Sequence, residues 1–176
     1  MNKNNLNQNK FTNEYFMDLA LNLAKKALKK GDVPVGAIVV DKNNNIISKA
    51  FNKKEKSQNA IRHAEILAID KACKKLKSFR LEGLTMFVTL EPCPMCSGAI
   101  IASRLDKVIF GAYDKNYGCA GSKYNFLQDK TFEHLVEVEG GVCENECSKI
   151  IKDFFVEIRN RNKTKKRYKK PNNLTR

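Results

Sequence analysis

The sequence predicts an α/β fold, a three-layer α/β/α sandwich on a mixed sheet of about five strands. Short β-branched runs alternate along the chain with longer runs whose apolar residues recur at helical spacing. From the first hairpin onward the order is strand, helix, strand, helix, strand, and such alternation gives sheets that helices cover on both faces. The length of 176 residues suits one domain.

The first third of the chain is predicted to hold a helix and a hairpin. Residues 14 to 29 carry an apolar stripe at helical spacing. The β-branched runs at 33 to 41 and 46 to 51 flank the turn-like "KNNN" of residues 42 to 45, which predicts a hairpin. The polar composition of residues 52 to 62 predicts a loop.

The middle of the chain is predicted to hold two helices, each followed by a strand. One helix, here called the HAE helix, begins at "HAE" and ends near Lys77, and strands are expected at 84 to 90 and 107 to 112. The other helix opens at the cysteine motif after the first of these strands and ends at about Arg104. The residues expected to share the apolar face of the HAE helix are Ile66, Ile69, Cys73 and Leu76.

The last third is predicted to be irregular at first and helical at its end. Residues 113 to 133 contain turns at Gly118 and Gly121, and the pattern of residues 134 to 140 predicts a last strand. A closing helix has apolar residues at helical spacing from Cys147 to Ile158. The predicted division is a polar extension at 1 to 10, one domain at 11 to 161 and a basic tail at 162 to 176.

The formal net charge is +14, and residues 159 to 176 contribute nine Lys or Arg and no acidic residue. Such a surface favours a nucleic-acid partner, because each phosphate that it neutralises releases counterions. An A-rich genome is an alternative explanation, since Lys outnumbers Arg by 26 to 7 and Asn is abundant. The charge by itself leaves both explanations open.

The composition also indicates a compartment. The first ten residues contain no apolar h-region, and the chain has no run of eighteen apolar residues. We therefore expect a cytoplasmic protein with no membrane partner. In a reducing compartment the six cysteines favour metal binding or core positions, and no structural disulfide is expected.

Two short motifs together predict a metal site. His63 lies two residues before Glu65, and Cys93 and Cys96 open a second helix. Catalytic zinc sites use three protein ligands and leave the fourth position for water, which suits one His and two Cys. Residues i and i+3 at a helix start point the same way, exposed amides there stabilise thiolates, and Pro94 fits the first turn. Glu65 is placed to accept a proton from the bound water.

Each motif alone has a simpler explanation. "HAE" alone is more often a helix start without chemistry, and "CPMC" alone is equally a structural zinc half-site or a pair of buried cysteines. The conjunction is stronger, because each motif supplies what the other lacks. His134 lies in a strand-like run and is expected to be structural, and Cys147 lies on an apolar stripe, which disfavours a second metal pair with Cys143.

The two motifs match the H-x-E…P-C-x-x-C signature of the zinc-dependent nucleoside deaminases. From about Glu14 to Arg161 the chain resembles the family of bacterial tRNA-specific adenosine deaminases. The segments that carry the resemblance are "DVPVGAIVV", "FN" at 51 to 52, "RHAEILAI", "TLEPCPMCSGAI", "SRLDKVIFGAYDKNYGCAGS" and "DFF" at 153 to 155.

The resemblance implies a cytidine-deaminase-like fold, a homodimer, and hydrolytic deamination of the wobble adenosine in a tRNA anticodon loop to inosine. It implies one zinc per chain, with His63, Cys93 and Cys96 as ligands and Glu65 as the proton shuttle. The positions that it implies for substrate binding are Asn52, Val33, Ala64, Asp114, Lys115 and Ser122. For Asp114 we consider two roles, acceptance of a 2′-hydroxyl hydrogen bond from RNA and capping of its own loop.

Two other functions compete with this one. A free-base deaminase of the same superfamily, acting on guanine or cytosine, resembles the chain across both motifs. The basic end and the "FGAYDKNYGCAGS" segment favour tRNA instead. A non-catalytic RNA-binding module stabilised by zinc is the alternative from another class, and four protein ligands around the metal would indicate it.

Overall fold

The computed structural model describes residues 11 to 168, with side chains through residue 164. Within this range the chain forms five α-helices and five strands. Their bounds are α1 Asn13–Leu28, β1 Gly36–Asp41, β2 Ile46–Phe51, α2 Lys54–Ser57, α3 Ala64–Leu76, β3 Leu84–Leu90, α4 Pro94–Ala102, β4 Lys107–Ala112, β5 Glu137–Gly140 and α5 Glu144–Tyr168, with a 3₁₀ turn at Phe126–Gln128. The single turn α2 lies in the segment predicted as a loop.

The five strands form one mixed sheet in the order β2-β1-β3-β4-β5, which confirms the predicted fold class. β1 pairs antiparallel with β2 and β3, whereas β3, β4 and β5 run parallel. β3 and β4 have the predicted bounds, but β1 begins at Gly36 and β5 at Glu137, each later than predicted. Because β1 and β3 are antiparallel, the segments before β1 and after β3 meet at one end of the sheet.

Helices cover both faces of the sheet. α3 and α4 pack on one face, and α1 and α5 pack on the other. Neighbouring residues of β3 serve the two faces, since Met86 and Val88 belong to one apolar core and Phe87 to the other. α1 lies very close to β1, where a Cβ at Gly36 would overlap the Ala20 carbonyl oxygen. A larger residue at this position would push α1 off the sheet.

The buried face of α3 matches the predicted one only in part, since Ile69 and Cys73 pack at the edge of the core. Ile66, Ile69 and Cys73 are only half-buried, and Leu76 is 42% exposed. The residues that face the core are Ala64, Leu67, Ala68 and Ala72. Alanines allow a close approach of α3 to the sheet, and Ser48 of β2 donates a hydrogen bond to the Ala68 carbonyl at 2.7 Å. The predicted stripe of larger apolar side chains therefore lies beside the contact between α3 and the sheet.

α5 is longer than predicted. Its anchor to the sheet is the expected apolar stripe, with Cys147 and Phe154 buried, although Phe155 is exposed. The helix then continues through the first basic residues to Tyr168, with an ion pair between Arg161 and Glu157 on its surface. The predicted tail thus begins inside a helix, and the extension at 1 to 10 lies outside the described residues. Between residues 11 and 168, no helix is long and apolar enough to cross a membrane.

Candidate active site

Two helix starts bring the three predicted metal ligands together. His63 directly precedes α3 and Cys93 directly precedes α4, both with extended backbone, and Cys96 lies in the first turn of α4. His63 Nδ1 lies 3.7 Å from Cys93 Sγ and 3.6 Å from Cys96 Sγ. All three donor atoms are within 4.8 Å of one another. Two helix N-termini therefore converge at the metal site that the two motifs predicted.

These separations suit a zinc ion. Zinc–nitrogen bonds of about 2.05 Å and zinc–sulfur bonds of about 2.3 Å, at tetrahedral angles, place the nitrogen and sulfur about 3.6 Å apart. Within the described part of the chain, no fourth His, Cys, Asp or Glu joins the group. One nitrogen and two sulfurs leave one tetrahedral position open, which is the donor set of a catalytic site rather than of a closed structural one.

The two cysteines differ in acidity. The hydrogen bond from Cys96, followed by that from His63, lowers the pKa of Cys93 to about 4. The same hydrogen bond with Cys93, together with burial, raises the pKa of Cys96. The pair thus holds one negative charge readily and takes a second when a cation compensates it, as zinc does.

Glu65 has the environment of a general acid and base. It lies in the first turn of α3, is 4% exposed and lines the cavity above the ligands. Burial raises the pKa of this carboxyl group. A pKa shifted toward neutral pH improves proton transfer in both directions. Glu65 thus lines the same cavity as the metal ligands His63 and Cys93 without belonging to the ligand group.

A cavity of about 600 Å³ opens over these residues, a size typical of small-molecule sites. The starts of α3 and α4 form its floor. Its walls are the segments before β1, after β2, after β3 and after β4. The lining residues are Val33, Val35, Asn52, Lys54, Ala60, His63, Glu65, Leu90, Glu91, Cys93, Pro94, Met95, Asp114 and Tyr117.

Of the six predicted substrate-binding residues, Val33, Asn52 and Asp114 line this cavity. Asn52 is 5% exposed, and its side-chain amide donates a hydrogen bond to the Val33 carbonyl at 3.2 Å. A second amide hydrogen remains for a substrate. The other three, Ala64, Lys115 and Ser122, are not among the lining residues, and Ala64 is fully buried.

Asp114 caps its own loop. Its Oδ1 atom accepts hydrogen bonds from the backbone amides of Asn116 at 2.9 Å and Tyr117 at 3.1 Å. This is the structural alternative considered for this residue, an Asx-type turn before Gly118. Because the side chain also lines the cavity, its interaction with a 2′-hydroxyl stays a prediction that would involve the other carboxylate oxygen.

Sequence reasoning missed two buried acids that hold the cavity walls. Asp32 is fully buried and accepts hydrogen bonds from the amides of Glu55 at 2.7 Å and Lys56 at 3.1 Å, which anchors α2. Glu91 is 2% exposed and accepts backbone hydrogen bonds from the loop after β4. The sequence did offer one signal for both residues. Each acidic residue stands directly beside an apolar run, where a solvent-exposed charge is not expected.

The other histidine and the four other cysteines do not belong to a metal-ligand group in the described range. His134 Nε2 is 2.7 Å from the Leu105 carbonyl oxygen, which agrees with the structural role expected for it. All six cysteines are free, and neither Cys143 nor Cys147 belongs to a metal-ligand group in the described range. Cys147 instead packs against β4, where a Cβ at Gly111 would overlap its sulfur.

Comparisons with known proteins identify the family. A model of the cytidine and deoxycytidylate deaminase zinc-binding region matches residues 10 to 112, more than half of the chain. The chain belongs to this deaminase family. It is therefore a zinc-dependent deaminase, and the family's metal fits the His63, Cys93 and Cys96 cluster.

The deaminase is similar to proteins named tRNA-specific adenosine deaminase. That of Bacillus subtilis is 51% identical over 150 residues, which cover 85% of this chain and 92% of the relative. That of Aquifex aeolicus is 48% identical over 147 residues, which cover 84% of this chain and 96% of the relative. A solved structure from a study of A-to-I editing by tRNA:A34 deaminases has a TM-score of 0.74 and 36% identity, and covers 77% of this chain and 98% of its own.

Proposed function

We propose that this deaminase hydrolyses the wobble adenosine of a tRNA anticodon loop to inosine. The observation that carries the proposal is the three-donor cluster with buried Glu65 on the floor of a cavity of about 600 Å³. The relatives named for tRNA at 48 to 51% identity support the substrate. They favour tRNA over a free base, and the three-donor cluster favours catalysis over a closed zinc module.

In the proposed reaction the chain holds zinc and moves protons. His63, Cys93 and Cys96 would bind the ion, which supplies a Lewis acid that makes water a nucleophile at neutral pH. The ionised Glu65 carboxylate takes a proton from that water and delivers it to the adenine ring. The water oxygen bonds to C6 of the ring, and Glu65 then helps to move the second proton of that oxygen to the amino group. The bond between C6 and the amino nitrogen breaks as ammonia leaves, so the same carboxyl group acts as base and as acid. Its raised pKa suits both roles.

The cavity walls support binding of a flipped adenosine. Val33, Val35 and Met95 offer apolar surface for a base taken out of its stack, and the Asn52 amide offers a hydrogen-bond donor. Lys54 also lines the cavity and supplies a positive charge for a phosphate. These features suit a nucleotide within a strand.

We also propose that the enzyme works in the cytoplasm as a homodimer that contacts the anticodon stem-loop, as the family resemblance implies. The net charge of +14 supports attraction to the tRNA backbone. Light scattering of the purified protein tests the dimer.

The deciding experiment is sequencing of the anticodon loop after incubation of unmodified tRNA with the purified protein. Inosine is read as guanosine, so conversion at the wobble position alone supports the proposal. Parallel incubations with free guanine and free cytosine, monitored for ammonia, test the competing substrate class. Ammonia release from a free base, without change in tRNA, would replace the proposal by the free-base alternative.

The basic end of the chain yields a separate prediction. Truncation after Asn162 removes seven Lys or Arg residues and is expected to weaken tRNA binding and to flatten its salt dependence. Every phosphate that the truncated protein no longer neutralises reduces the slope of log affinity against log salt by about 0.9 on a duplex. The side chains from 159 to 164 are exposed, so the fold should tolerate the cut.

The matched control for this truncation is the full-length chain with the same seven residues changed to Gln. It should show the same reduction in slope if charge, rather than chain length, is responsible. An unchanged slope in both proteins would leave the A-rich genome as the explanation for the basic end.

A further inference from the structure

Glu91 is a buried carboxylate to which the proposed chemistry gives no role. It directly follows β3, is 2% exposed and belongs to the "LEPC" segment two residues before the ligand Cys93. Its Oε2 atom accepts a hydrogen bond from the Asp114 amide at 3.0 Å. Its Oε1 atom accepts two, from the Ala120 amide at 3.0 Å and the Ser122 amide at 2.9 Å.

The three donors belong to one segment, residues 113 to 122, which forms a wall of the cavity and is here called the wall loop. Two backbone hydrogen bonds also join the segment after β3 to the wall loop and to Ala112, the last residue of β4 directly before it. The Glu91 amide donates to the Ala112 carbonyl, and the Cys119 amide donates to the Pro92 carbonyl, both at 2.8 Å. The wall loop is thus fixed directly to the segment that presents Cys93.

Gly118 shows how closely the wall loop passes over the carboxylate. A Cβ at this position would overlap both the Glu91 carboxyl group and the backbone carbonyl oxygen of Asp114, and the φ angle of Gly118 is not in the left-handed region. Close approach, and not backbone conformation, therefore requires glycine here. The sequence predicted only a turn at Gly118.

The chemistry of this interaction requires a carboxylate. Three amide donors need three acceptor sites, and two carboxylate oxygens offer them without a competing donor. The amides also offset the cost of burying the charge. Glutamine has the same shape but would direct an NH₂ group at one or two of the amides, which leaves them unsatisfied inside the protein.

We infer that Glu91 is a positioning residue for substrate binding. It holds the wall loop, with the cavity-lining residues Asp114 and Tyr117, at a fixed place relative to Cys93. It acts through this loop and does not touch the reacting atoms. The substrate part of the inference rests on the proposed function, whereas the effect on the loop does not depend on it.

The experiment compares Glu91→Gln with the wild-type protein, both loaded with zinc. Hydrogen–deuterium exchange of the wall loop should accelerate by about tenfold to a hundredfold, the range expected for losing bonds to a charged acceptor. For tRNA deamination, KM should rise by about tenfold or more and kcat should change less, with zinc content unchanged. Glu82→Gln is the matched control, since Glu82 is exposed and, within the described part of the chain, pairs only with Arg80 at the surface.

Gly118→Ala disturbs the same interaction from the other side, along with the contact to the Asp114 carbonyl within the loop, and it keeps the carboxylate. It should accelerate exchange in the same loop and raise KM in the same direction, and the double variant should be little worse than Glu91→Gln alone, because both act at one place. Unchanged exchange in both variants would overturn the inference, and so would a fall in kcat at constant KM. If the wild type does not deaminate tRNA, the proposed function fails, and loop exchange still decides the role of Glu91.

Discussion

Glu65→Gln is expected to keep the fold and the zinc and to lose turnover by about a hundredfold to ten-thousandfold, the range of a general acid and base. The amide preserves the shape of the side chain but cannot take the proton from water. Turnover on tRNA and metal content, measured on the same preparation, check this expectation. Asp70→Asn is the matched control, because Asp70 lies on the same helix, is exposed and, among the described residues, pairs only with Lys74.

The pH profile separates loss of the proton acceptor from general damage. Burial raises the pKa of Glu65, and the reaction needs the ionised form, so wild-type turnover should fall as pH falls through that pKa. This decrease of turnover at low pH should be absent in Glu65→Gln. An ionised carboxylate whose pKa is raised by burial destabilises the folded state at neutral pH, so the neutral amide should not lower Tm. Turnover within a factor of a few of wild type would mean that another group moves the proton.

Local spacing was sufficient to predict which side chains gather at the floor of the site. His63 and Glu65 lie at one helix start, and Cys93 and Cys96 lie at another. Each pair belongs to a short motif of three or four consecutive residues. The alternation of strands and helices then predicted the layers, since β3 and β4 have the expected bounds. These features depend on neighbours in sequence, which a single chain displays directly.

The walls of the site could not be predicted, because their hydrogen bonds join distant residues. Glu91 accepts hydrogen bonds from backbone amides that lie 23, 29 and 31 positions away in the sequence. Asp32 caps α2 from 23 and 24 positions away, and the short polar segment "KEKS" has no helical signal of its own. Neither partner is visible in the local pattern of residues.

The face of α3 was predicted only in part, for a related reason. Ile66, Ile69, Cys73 and Leu76 form a good apolar stripe, and alanines weigh little in such a pattern. The helix nevertheless packs on its alanines, because small side chains allow the close approach that the Ser48 hydrogen bond requires. The distance between α3 and the sheet determined which face of the helix is buried. The periodicity of apolar residues in the sequence does not indicate that distance.

Cys93→Ser and Cys96→Ser are each expected to lose most of the bound zinc and, with it, nearly all deamination. Serine keeps the size of the side chain but replaces a soft thiolate by a hydroxyl that zinc does not readily deprotonate. Only two strong donors would remain, because no fourth His, Cys, Asp or Glu in the described range joins the group. Metal analysis after dialysis against a chelator should show about one zinc per chain in the wild type and far less in either variant.

Thermal unfolding provides a second measurement that does not depend on activity. A metal that binds only the folded state stabilises it by about 2.7 kcal/mol when its free concentration is about 100 times Kd, so a chelator should lower Tm of the wild type. The chelator should leave Tm of the two serine variants nearly unchanged, since these variants bind little zinc that could be removed. Cys73→Ser is the matched control, because Cys73 is a free, half-buried cysteine outside the ligand group and should respond as the wild type does. Full zinc content in both Cys93→Ser and Cys96→Ser would show that the ion is held elsewhere, and the assignment of His63 as their partner would fail with it.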